Sequence, residues 1–152
     1  MIPLQHEIKY CEEEDIPAVV EMAKSFFKES PYASVVALDE FKLEELVRGL
    51  FNNPSCMVLL AHLNGTPAGM LLAQISETIF SRHKIASEIA WWVHPDHRGQ
   101  GISTKLLDGY EYWAEQMGAN FISMASLNTK NVDIILTNRG YSATEVAYVK
   151  VI

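Results

Sequence analysis

The sequence lacks any long apolar run. No segment approaches the roughly 20 consecutive apolar residues that a membrane-spanning helix requires, so we expect no action at a membrane. The first residues, Met1-Ile2-Pro3-Leu4-Gln5-His6, have no basic start followed by an apolar stretch, which predicts that there is no signal peptide. These two absences favour a cytoplasmic protein.

Cysteine and positive charge are also scarce. Cys11 and Cys56 are the only cysteines, and their wide separation fits neither a disulfide scaffold nor a metal motif, which favours a reducing compartment. Lys and Arg number 12 against 19 Asp and Glu, for a net charge of −7, and no basic cluster is visible. We therefore expect no nucleic-acid partner. The acidic balance weakly favours a cationic partner such as an amine.

The 152 residues, 49% of them hydrophobic, suit one domain over residues 1–152 with a core of its own. Hydrophobic periodicity and turn signals predict the order β-α-α-β-β-β-α-β-α-β. Three consecutive central strands, including a hairpin at Asn64-Gly65, indicate a mixed and mostly antiparallel sheet. The last predicted element is an extended segment over Tyr141 to Ile152. We predict an α/β (α+β) fold with about four flanking helices.

The most informative segment joins a strand ending at Val93 to an amphipathic helix. The connecting residues are Arg98-Gly99-Gln100-Gly101, and Ile102 opens the helix. Free N–H groups at a helix N-terminus attract phosphate, and glycines let the backbone approach it. Thr104 stands where the dinucleotide fingerprint needs a third glycine, and the Gly-Lys-Ser/Thr of a P-loop is absent. The alternative is a turn that uses glycine for geometry alone.

Arg98-Gly99-Gln100-Gly101-Ile102-Ser103 resembles the acetyl-CoA motif of the GNAT superfamily of N-acyltransferases, Gln/Arg-x-x-Gly-x-Gly/Ala. Arg98 and Gly101 match this pattern, and Ser103 replaces the last small residue. The element order and the closing Arg139-Gly140-Tyr141 also resemble the family. The resemblance implies a GNAT-like fold, with a sheet that splays at Val93 on its fourth strand.

The resemblance also implies which residues bind acetyl-CoA, the expected co-substrate. Backbone N–H groups from Arg98 to Ser103, extending to Thr104, would hold the pyrophosphate. Backbone groups of Trp92 and Val93 would hold the pantetheine arm as an added strand. Asn128 would contact the pantetheine, with Asn131 as the alternative. No metal is expected, since His94 and His97 lack a third ligand and are better explained as turn residues beside a phosphate site.

Glu88 is the candidate general base, because it lies on the strand that leads into the glycine turn. A carboxyl group beside an apolar cleft can have a raised pKa, which suits a base for amine deprotonation. The alternative is a Glu that faces solvent or pairs with a neighbouring Lys. Many GNAT members carry a Tyr four residues before the closing Gly, which protonates the departing thiolate, but that position here is Leu136. Three tyrosines are candidate substitutes: Tyr110, Tyr141 and Tyr148.

Together these observations predict an enzyme that transfers an acetyl group from acetyl-CoA to a primary amine by direct attack. Leu136 motivates an alternative, a weak or inactive CoA-binding or interaction module. A third hypothesis is that the acyl donor differs from acetyl-CoA. The sequence does not distinguish among five classes of amine acceptor: a protein N-terminus, a lysine side chain, a polyamine, an antibiotic and a small metabolite. The resemblance is compatible with a homodimer, which no segment of the sequence establishes.

Overall fold

The structure, a computed structural model, describes residues 6–126 and 130–152. Its regular elements are β1 His6–Tyr10, α1 Ile16–Glu29, α2 Glu40–Asn52, β2 Cys56–Leu63, β3 Thr66–Glu77, β4 Lys84–Val93, α3 Ile102–Gln116, β5 Phe121–Ser123 and α4 Lys130–Asn138. The four helices and the α/β class agree with the sequence prediction. No helix among the described residues is both long and apolar enough to cross a bilayer.

The five strands form one sheet in the order β1-β2-β3-β4-β5. The first three pairings are antiparallel and the β4–β5 pairing is parallel, which confirms the predicted mixed, mostly antiparallel sheet. Helices α1 and α2 bury apolar side chains against one face of the sheet, and α3 packs against the other. The core therefore has two layers, one on each side of the strands.

Local sequence signals explain several of these boundaries. Asn64 and Gly65 both have positive φ (51° and 81°), as a tight hairpin turn requires, and they join β2 to β3. The Asp39 side chain accepts a hydrogen bond from the N–H of Lys42 at 3.0 Å and so caps α2. Gly118, with φ 80°, follows the end of α3. The predicted hairpin is therefore confirmed, and both helix boundaries have a local cause in the sequence.

A β-bulge interrupts β4 in its middle. Leu72 of β3 pairs with Ala90, whereas the next residue, Ala73, pairs with Glu88, so Ile89 is the extra residue on β4. A bulge reverses the alternation of side chains along its strand. As a result Glu88 lies on the face that α3 covers, while Ala90 lies on the face that α1 and α2 cover.

The sheet splays between β4 and β5. Only three residue pairs join these strands, the last being Ser87 with Ser123. From Glu88 onward, β4 runs without β5 beside it. We call the gap between residues 88–93 and the chain after Ser123 the strand opening. Its start lies nearer the beginning of β4 than the predicted splay point, Val93, which is instead at its far end.

The prediction of a final strand is wrong for the single chain. Within the part of the chain that the structure describes, residues 142–152 join no sheet, and the last backbone hydrogen bond before them runs from the N–H of Tyr141 to the carbonyl of Leu136 at 3.0 Å. These residues have strand-forming side chains, but side-chain type alone does not make a strand, which also needs a neighbouring strand to pair with it. We call residues 142–152 the C-terminal arm.

Candidate functional site

The glycine turn lies at the far end of the strand opening and starts α3. Gly99 and Gly101 have φ values of 81° and 84°, in the left-handed region that favours glycine. Gly101 is the residue that caps α3, and a Cβ atom added to either glycine would meet nothing within 4 Å. The glycines are therefore required by the backbone conformation, and the surface above them is open.

The N–H groups of residues 99–104 are free. None of them donates a hydrogen bond in the described structure, whereas the N–H of Lys105 already donates to the carbonyl of Gly101 at 3.2 Å. The first turn of a helix leaves such groups unsatisfied, and the helix dipole adds partial positive charge there. The Arg98 N–H differs, because it donates to the carbonyl of Pro95 at 3.4 Å. The free N–H groups thus begin at Gly99, whereas the predicted pyrophosphate-binding set begins at Arg98.

The guanidinium group of Arg98 is occupied by contacts within the protein. Its Nε donates to the carbonyl of Val93 at 2.9 Å, and its Nη2 donates to both carboxylate oxygens of Glu29 at 2.8 and 2.9 Å. The guanidinium therefore fixes the turn after β4 and is neutralised by a partner on α1. The Val93 carbonyl, which belongs to the predicted pantetheine-binding group, is engaged by this contact.

Glu29 is a residue that sequence reasoning missed. It ends α1 and also accepts a hydrogen bond from the indole Nε1 of Trp92, a buried side chain of β4. Burial alone would raise the pKa of Glu29, but hydrogen bonds from Arg98 and Trp92 hold that pKa below its ordinary value. We call this group of Glu29, Trp92 and Arg98 the latch, because it ties α1 to the end of β4.

Glu88 lies at the closed end of the strand opening. Its carboxylate accepts a long hydrogen bond, 3.4 Å, from the N–H of Ala125, which follows β5. Burial raises the pKa of Glu88 to about 7, although the Ala125 N–H acts in the opposite direction. No cation pairs with this carboxylate among the described residues. Its pKa therefore suits a proton acceptor near neutral pH.

Of the three tyrosines considered as proton donors to the thiolate, two have hydroxyl groups that donate to other groups of the protein. The Tyr110 hydroxyl donates to the carbonyl of Ser123 at 2.9 Å, and the Tyr141 hydroxyl donates to Glu111 at 3.1 Å. Burial, with nearby negative charge, raises the pKa of both phenols. Tyr148 lies on the C-terminal arm with 92% of its surface exposed, and Leu136 is buried in the core.

Buried polar atoms without partners border the strand opening on both sides. The indole Nε1 of Trp91 on β4 and the Oγ of Ser126 after β5 are both inaccessible to water and have no hydrogen-bond partner among residues 6–126 and 130–152. Native proteins rarely leave such atoms unpaired. A polar chain that entered the opening, such as a pantetheine with its two amides, would offer them partners. The residues present therefore fit a CoA-type group.

The two histidines before the glycine turn have a structural role. His94 Nδ1 accepts from the N–H of Asp96 at 3.1 Å, and the rings of His94 and His97 lie 5.3 Å apart. The described part of the chain contains no group of three or more His, Cys, Asp or Glu placed to hold a metal ion.

The sequence profile of the acetyltransferase (GNAT) family matches residues 16–140. The chain belongs to the GNAT family. The matched span runs from the start of α1 to Gly140, and it includes the latch, the strand opening and the glycine turn. No curated protein sequence matches this GNAT chain.

Solved structures support the same fold. The aminoglycoside N-acetyltransferase AAC(6')-Iy in complex with CoA is 12% identical, with a TM-score of 0.79 over 98% of this chain and 95% of its own. The aminoglycoside 6'-N-acetyltransferase AAC(6')-IG from Acinetobacter haemolyticus is 22% identical, with a TM-score of 0.72 over 96% and 99%. A ribosomal-protein-alanine N-acetyltransferase from Brucella melitensis biovar Abortus 2308 is 18% identical, with a TM-score of 0.72 over 97% and 100%. At these identities the likeness shows the fold.

The structure brings most of the predicted site residues to one region. Residues 98–104 form the glycine turn and the first turn of α3, while Trp92 and Val93 end β4 beside them. Glu88 lies earlier on the same strand, at the other end of the opening. Asn128 lies outside the described residues. Asn131, its alternative, is exposed on α4.

Proposed function

We propose that this GNAT chain transfers an acetyl group from acetyl-CoA to a primary amine, with Glu88 as the general base. The observation that carries the proposal is the Glu88 carboxyl group, whose pKa of about 7 is unusual for a glutamate and which pairs with no cation in the described part of the chain. The strand opening that begins at Glu88 ends at the free N–H groups of the glycine turn. A donor held by that turn would extend along the opening towards the base.

Donor binding would rest on the backbone. The N–H groups of residues 99–104 would donate to the pyrophosphate oxygens, and Ser103 and Thr104 lie in the helix turn that the dipole makes positive. The pantetheine arm would lie against residues 88–93, where β5 no longer pairs with β4. The Arg98 side chain would contribute indirectly, because the latch holds it against Val93 and Glu29.

The transfer step follows from ordinary amine chemistry. A primary ammonium group, with a pKa of roughly 10.4 in Lys, must lose a proton before its nitrogen can attack the thioester carbonyl. Glu88 would accept that proton, directly or through a water molecule. The C–N bond then forms, the C–S bond breaks and CoA leaves as a thiolate, while the nitrogen loses a second proton to water as it becomes an amide. A thiol has a pKa of only roughly 8.5, so water can protonate the thiolate without a tyrosine at position 136.

Glu88→Gln tests this role. The variant keeps the side-chain size but cannot accept the proton, so we expect turnover at pH 7 to fall about 100-fold, the lower end for loss of a general base. Calorimetry should give an acetyl-CoA affinity close to that of the parent chain. Parent turnover should rise with pH through about 7, where the Glu88 carboxyl ionises, and the variant should lack this inflection. Glu77→Gln, at the exposed end of β3, is the matched control.

A second candidate function is a CoA-binding module without transfer. Its support is Leu136, which is buried in the core where the family resemblance would place a tyrosine. Thiol release from acetyl-CoA separates the two functions. Release that depends on an added amine supports the enzyme, whereas calorimetric binding without release for any amine supports the module. Failure to bind acetyl-CoA at millimolar concentration would contradict both. Mass spectrometry of a ligand that copurifies would reveal an acyl donor other than acetyl-CoA.

For the acceptor we propose a small cationic amine. The net charge of −7 favours positively charged molecules, and two of the similar structures are aminoglycoside N-acetyltransferases. A third is named for a protein acceptor, so a peptide N-terminus belongs in the same test. An amine panel of aminoglycosides, polyamines and an alanine-terminated peptide would rank these classes by kcat/KM. We further propose that the enzyme is cytoplasmic, because both of its cysteines are free. We also propose that it acts without nucleic acid or a membrane.

A further inference from the structure

Tyr110 is a completely buried tyrosine of α3 at the closed end of the strand opening. Its ring stacks on the ring of Trp113, with centroids 6.4 Å apart. Its hydroxyl donates to the carbonyl of Ser123 at 2.9 Å, and Ser123 is the last residue of β5 that pairs with β4. The hydroxyl therefore holds the chain at the point where the two strands separate.

The chain just beyond this point bonds to Glu88. Two residues after Ser123, the N–H of Ala125 donates to the Glu88 carboxylate at 3.4 Å. Tyr110 and Glu88 thus hold the same short stretch of chain, one at a carbonyl and the other at an N–H. Both side chains lie on the face that α3 covers, and the charge of Glu88 contributes to the raised pKa of the Tyr110 phenol.

Glu88 depends on this stretch of chain for its position. In the described part of the chain, the Ala125 N–H is the single hydrogen-bond donor to the Glu88 carboxylate. It is also the one group that lowers the Glu88 pKa, against the burial that raises it. A carboxylate that is held by one long hydrogen bond moves when its donor moves. The placement of the proposed base therefore depends on where residues 123–125 lie.

The charged groups near Tyr110 do not compete for its hydroxyl. On the β4 side is Glu88, whose carboxylate accepts from the backbone beyond β5. On the α4 side is Tyr141, whose hydroxyl donates to Glu111, and Glu111 pairs with Arg139. Burial, with the charges of Tyr141 and Glu88, raises the pKa of Tyr110 above its ordinary value of 10. The phenol thus stays protonated over the pH range in which Glu88 ionises, and it remains a donor to the β5 backbone.

We propose that Tyr110 is a positioning residue for the general base: its hydroxyl fixes residues 123–125 so that the Ala125 N–H holds the Glu88 carboxylate at the closed end of the strand opening. This inference rests on the proposed function, which gives Glu88 its role as base. It assigns Tyr110 a contact within the protein in place of proton donation to the departing thiolate. The glycine turn lies at the other end of the opening, so donor binding should not depend on Tyr110.

Tyr110→Phe tests the inference, because it removes the hydroxyl and keeps the ring in the core. Residues 123–125 are then no longer fixed, and loss of a donor to an ionised carboxylate raises its pKa. We expect the Glu88 pKa to rise by at least about 0.5 pH unit. Carbon-13 NMR of a chain labelled at its glutamate carboxyl carbons measures this without substrate, and Glu88→Gln identifies the Glu88 signal.

Kinetics give a second measurement on the same variant. We expect turnover at pH 7 to fall about 10-fold, the scale of one lost hydrogen bond, and the inflection of the pH profile to move up with the Glu88 pKa. The calorimetric affinity for acetyl-CoA should stay within about twofold of the parent value, which is less than the loss of one hydrogen bond would cause. A fall in turnover with an unmoved Glu88 pKa would overturn the inference, because Tyr110 would then act as a proton donor.

Tyr141→Phe is the matched control. It also removes a phenol hydroxyl that bonds to the protein beside α3, but that hydroxyl donates to Glu111 and not to the chain after β5. The Glu88 pKa should be unchanged in this variant. Equal shifts in the two phenylalanine variants would show that any hydroxyl lost beside α3 disturbs Glu88, which would contradict a specific role for Tyr110.

Ala125→Pro tests the second hydrogen bond directly, because proline has no N–H to donate. We expect the same upward shift of the Glu88 pKa, and circular dichroism checks the fold. The combined Tyr110→Phe and Ala125→Pro variant should shift the pKa no further than Ala125→Pro alone, since both changes act through one bond. Additive shifts would overturn the inference. A parent chain that transfers no acetyl group would contradict the proposed function, while the NMR comparison would still decide the positioning role.

Discussion

The strand opening has two walls that differ in how they are supported. The β4 wall pairs with β3 through nine residue pairs, and its far end is tied to α1 by the latch. The other wall, which we call the β5 wall, continues from β5; that strand pairs with β4 through three residue pairs and is the last strand of the described sheet. The glycine turn, where we propose that the donor binds, belongs to the first wall. A wall with many pairings thus faces a wall with few.

Because of this difference, we expect donor binding and the position of Glu88 to depend on separate structural features. The glycine turn is held by local geometry and by the latch, so donor affinity should be insensitive to events at β5. Glu88 connects the two walls, since it belongs to β4 but bonds to the N–H of Ala125 beyond β5. Variants of each wall, compared with matched variants elsewhere, test whether the two walls act independently.

The largest effect is expected at Gly101. Gly101→Val places a β-branched residue at φ 84°, which the backbone can accommodate only by moving the start of α3. Loss of two hydrogen bonds to a charged phosphate would weaken acetyl-CoA binding at least about 100-fold. Gly65→Val is the matched control, because Gly65 has φ 81° and equally open surroundings but lies in the β2–β3 turn.

Calorimetry with acetyl-CoA compares the two valine variants, and thermal unfolding measures the strain that they share. Equal affinity losses in both would show that backbone strain alone weakens binding, which would contradict a phosphate role for the turn. An unchanged affinity in Gly101→Val would contradict it as well. The comparison therefore isolates the anion-binding function from the conformational role of glycine.

The sequence predicted the β4 wall better than the β5 wall, for a physical reason. Gly99 and Gly101 mark positive φ values, which depend on only a few neighbouring residues. Glu29 could not be found in this way, because its contact with Arg98 spans 69 positions of the chain and follows no periodic pattern. The burial of Glu88 likewise depends on a bulge at Ile89, which is a property of strand register. The arm has a visible strand composition, but a sequence does not say which edge a strand joins.

The next largest effect is expected at the latch. Glu29→Gln removes a carboxylate that accepts from Arg98 and from the buried Trp92 indole, and we expect a loss of about 1 to 2 kcal/mol in the free energy of unfolding. Glu44→Gln is the matched control, since Glu44 pairs with Arg48 at similar exposure within one helix. That exposed pair should contribute at most about 0.5 kcal/mol. Denaturant unfolding of both variants gives the comparison.

The pH dependence of the latch provides a second measurement. The pKa of Glu29 is lowered in the folded chain, so its stabilising contribution is present above the unfolded value and is lost as pH falls through the folded value. The difference in the free energy of unfolding between the parent chain and Glu29→Gln should therefore become smaller at acidic pH. If both variants lose the same free energy, the β4 wall does not depend on its tie to α1.

The smallest effect is expected from Glu88 on stability, where the sign is opposite. The pKa of Glu88 is raised in the folded chain to about 7 from an ordinary value of 4.5, so the folded state holds its proton more tightly. That contribution is fully present below about 4.5 and is lost as pH rises to about 7. Glu88→Gln should therefore gain stability relative to the parent chain between pH 4.5 and 7.5, by about 1 kcal/mol once solvent screening is allowed for.

Thermal unfolding at the two pH values measures this gain, with Glu77→Gln as the exposed control on the neighbouring strand. The control removes a carboxylate that water already solvates, so its difference from the parent should be smaller at both pH values. A gain in stability for Glu88→Gln would show that the ionised Glu88 carboxylate destabilises the folded chain. The measurement needs no substrate. If the gain is absent, the carboxyl is solvated in the folded chain. The proposal that Glu88 acts as a base at neutral pH would then be contradicted. The proposal that the donor binds at the glycine turn would be unaffected.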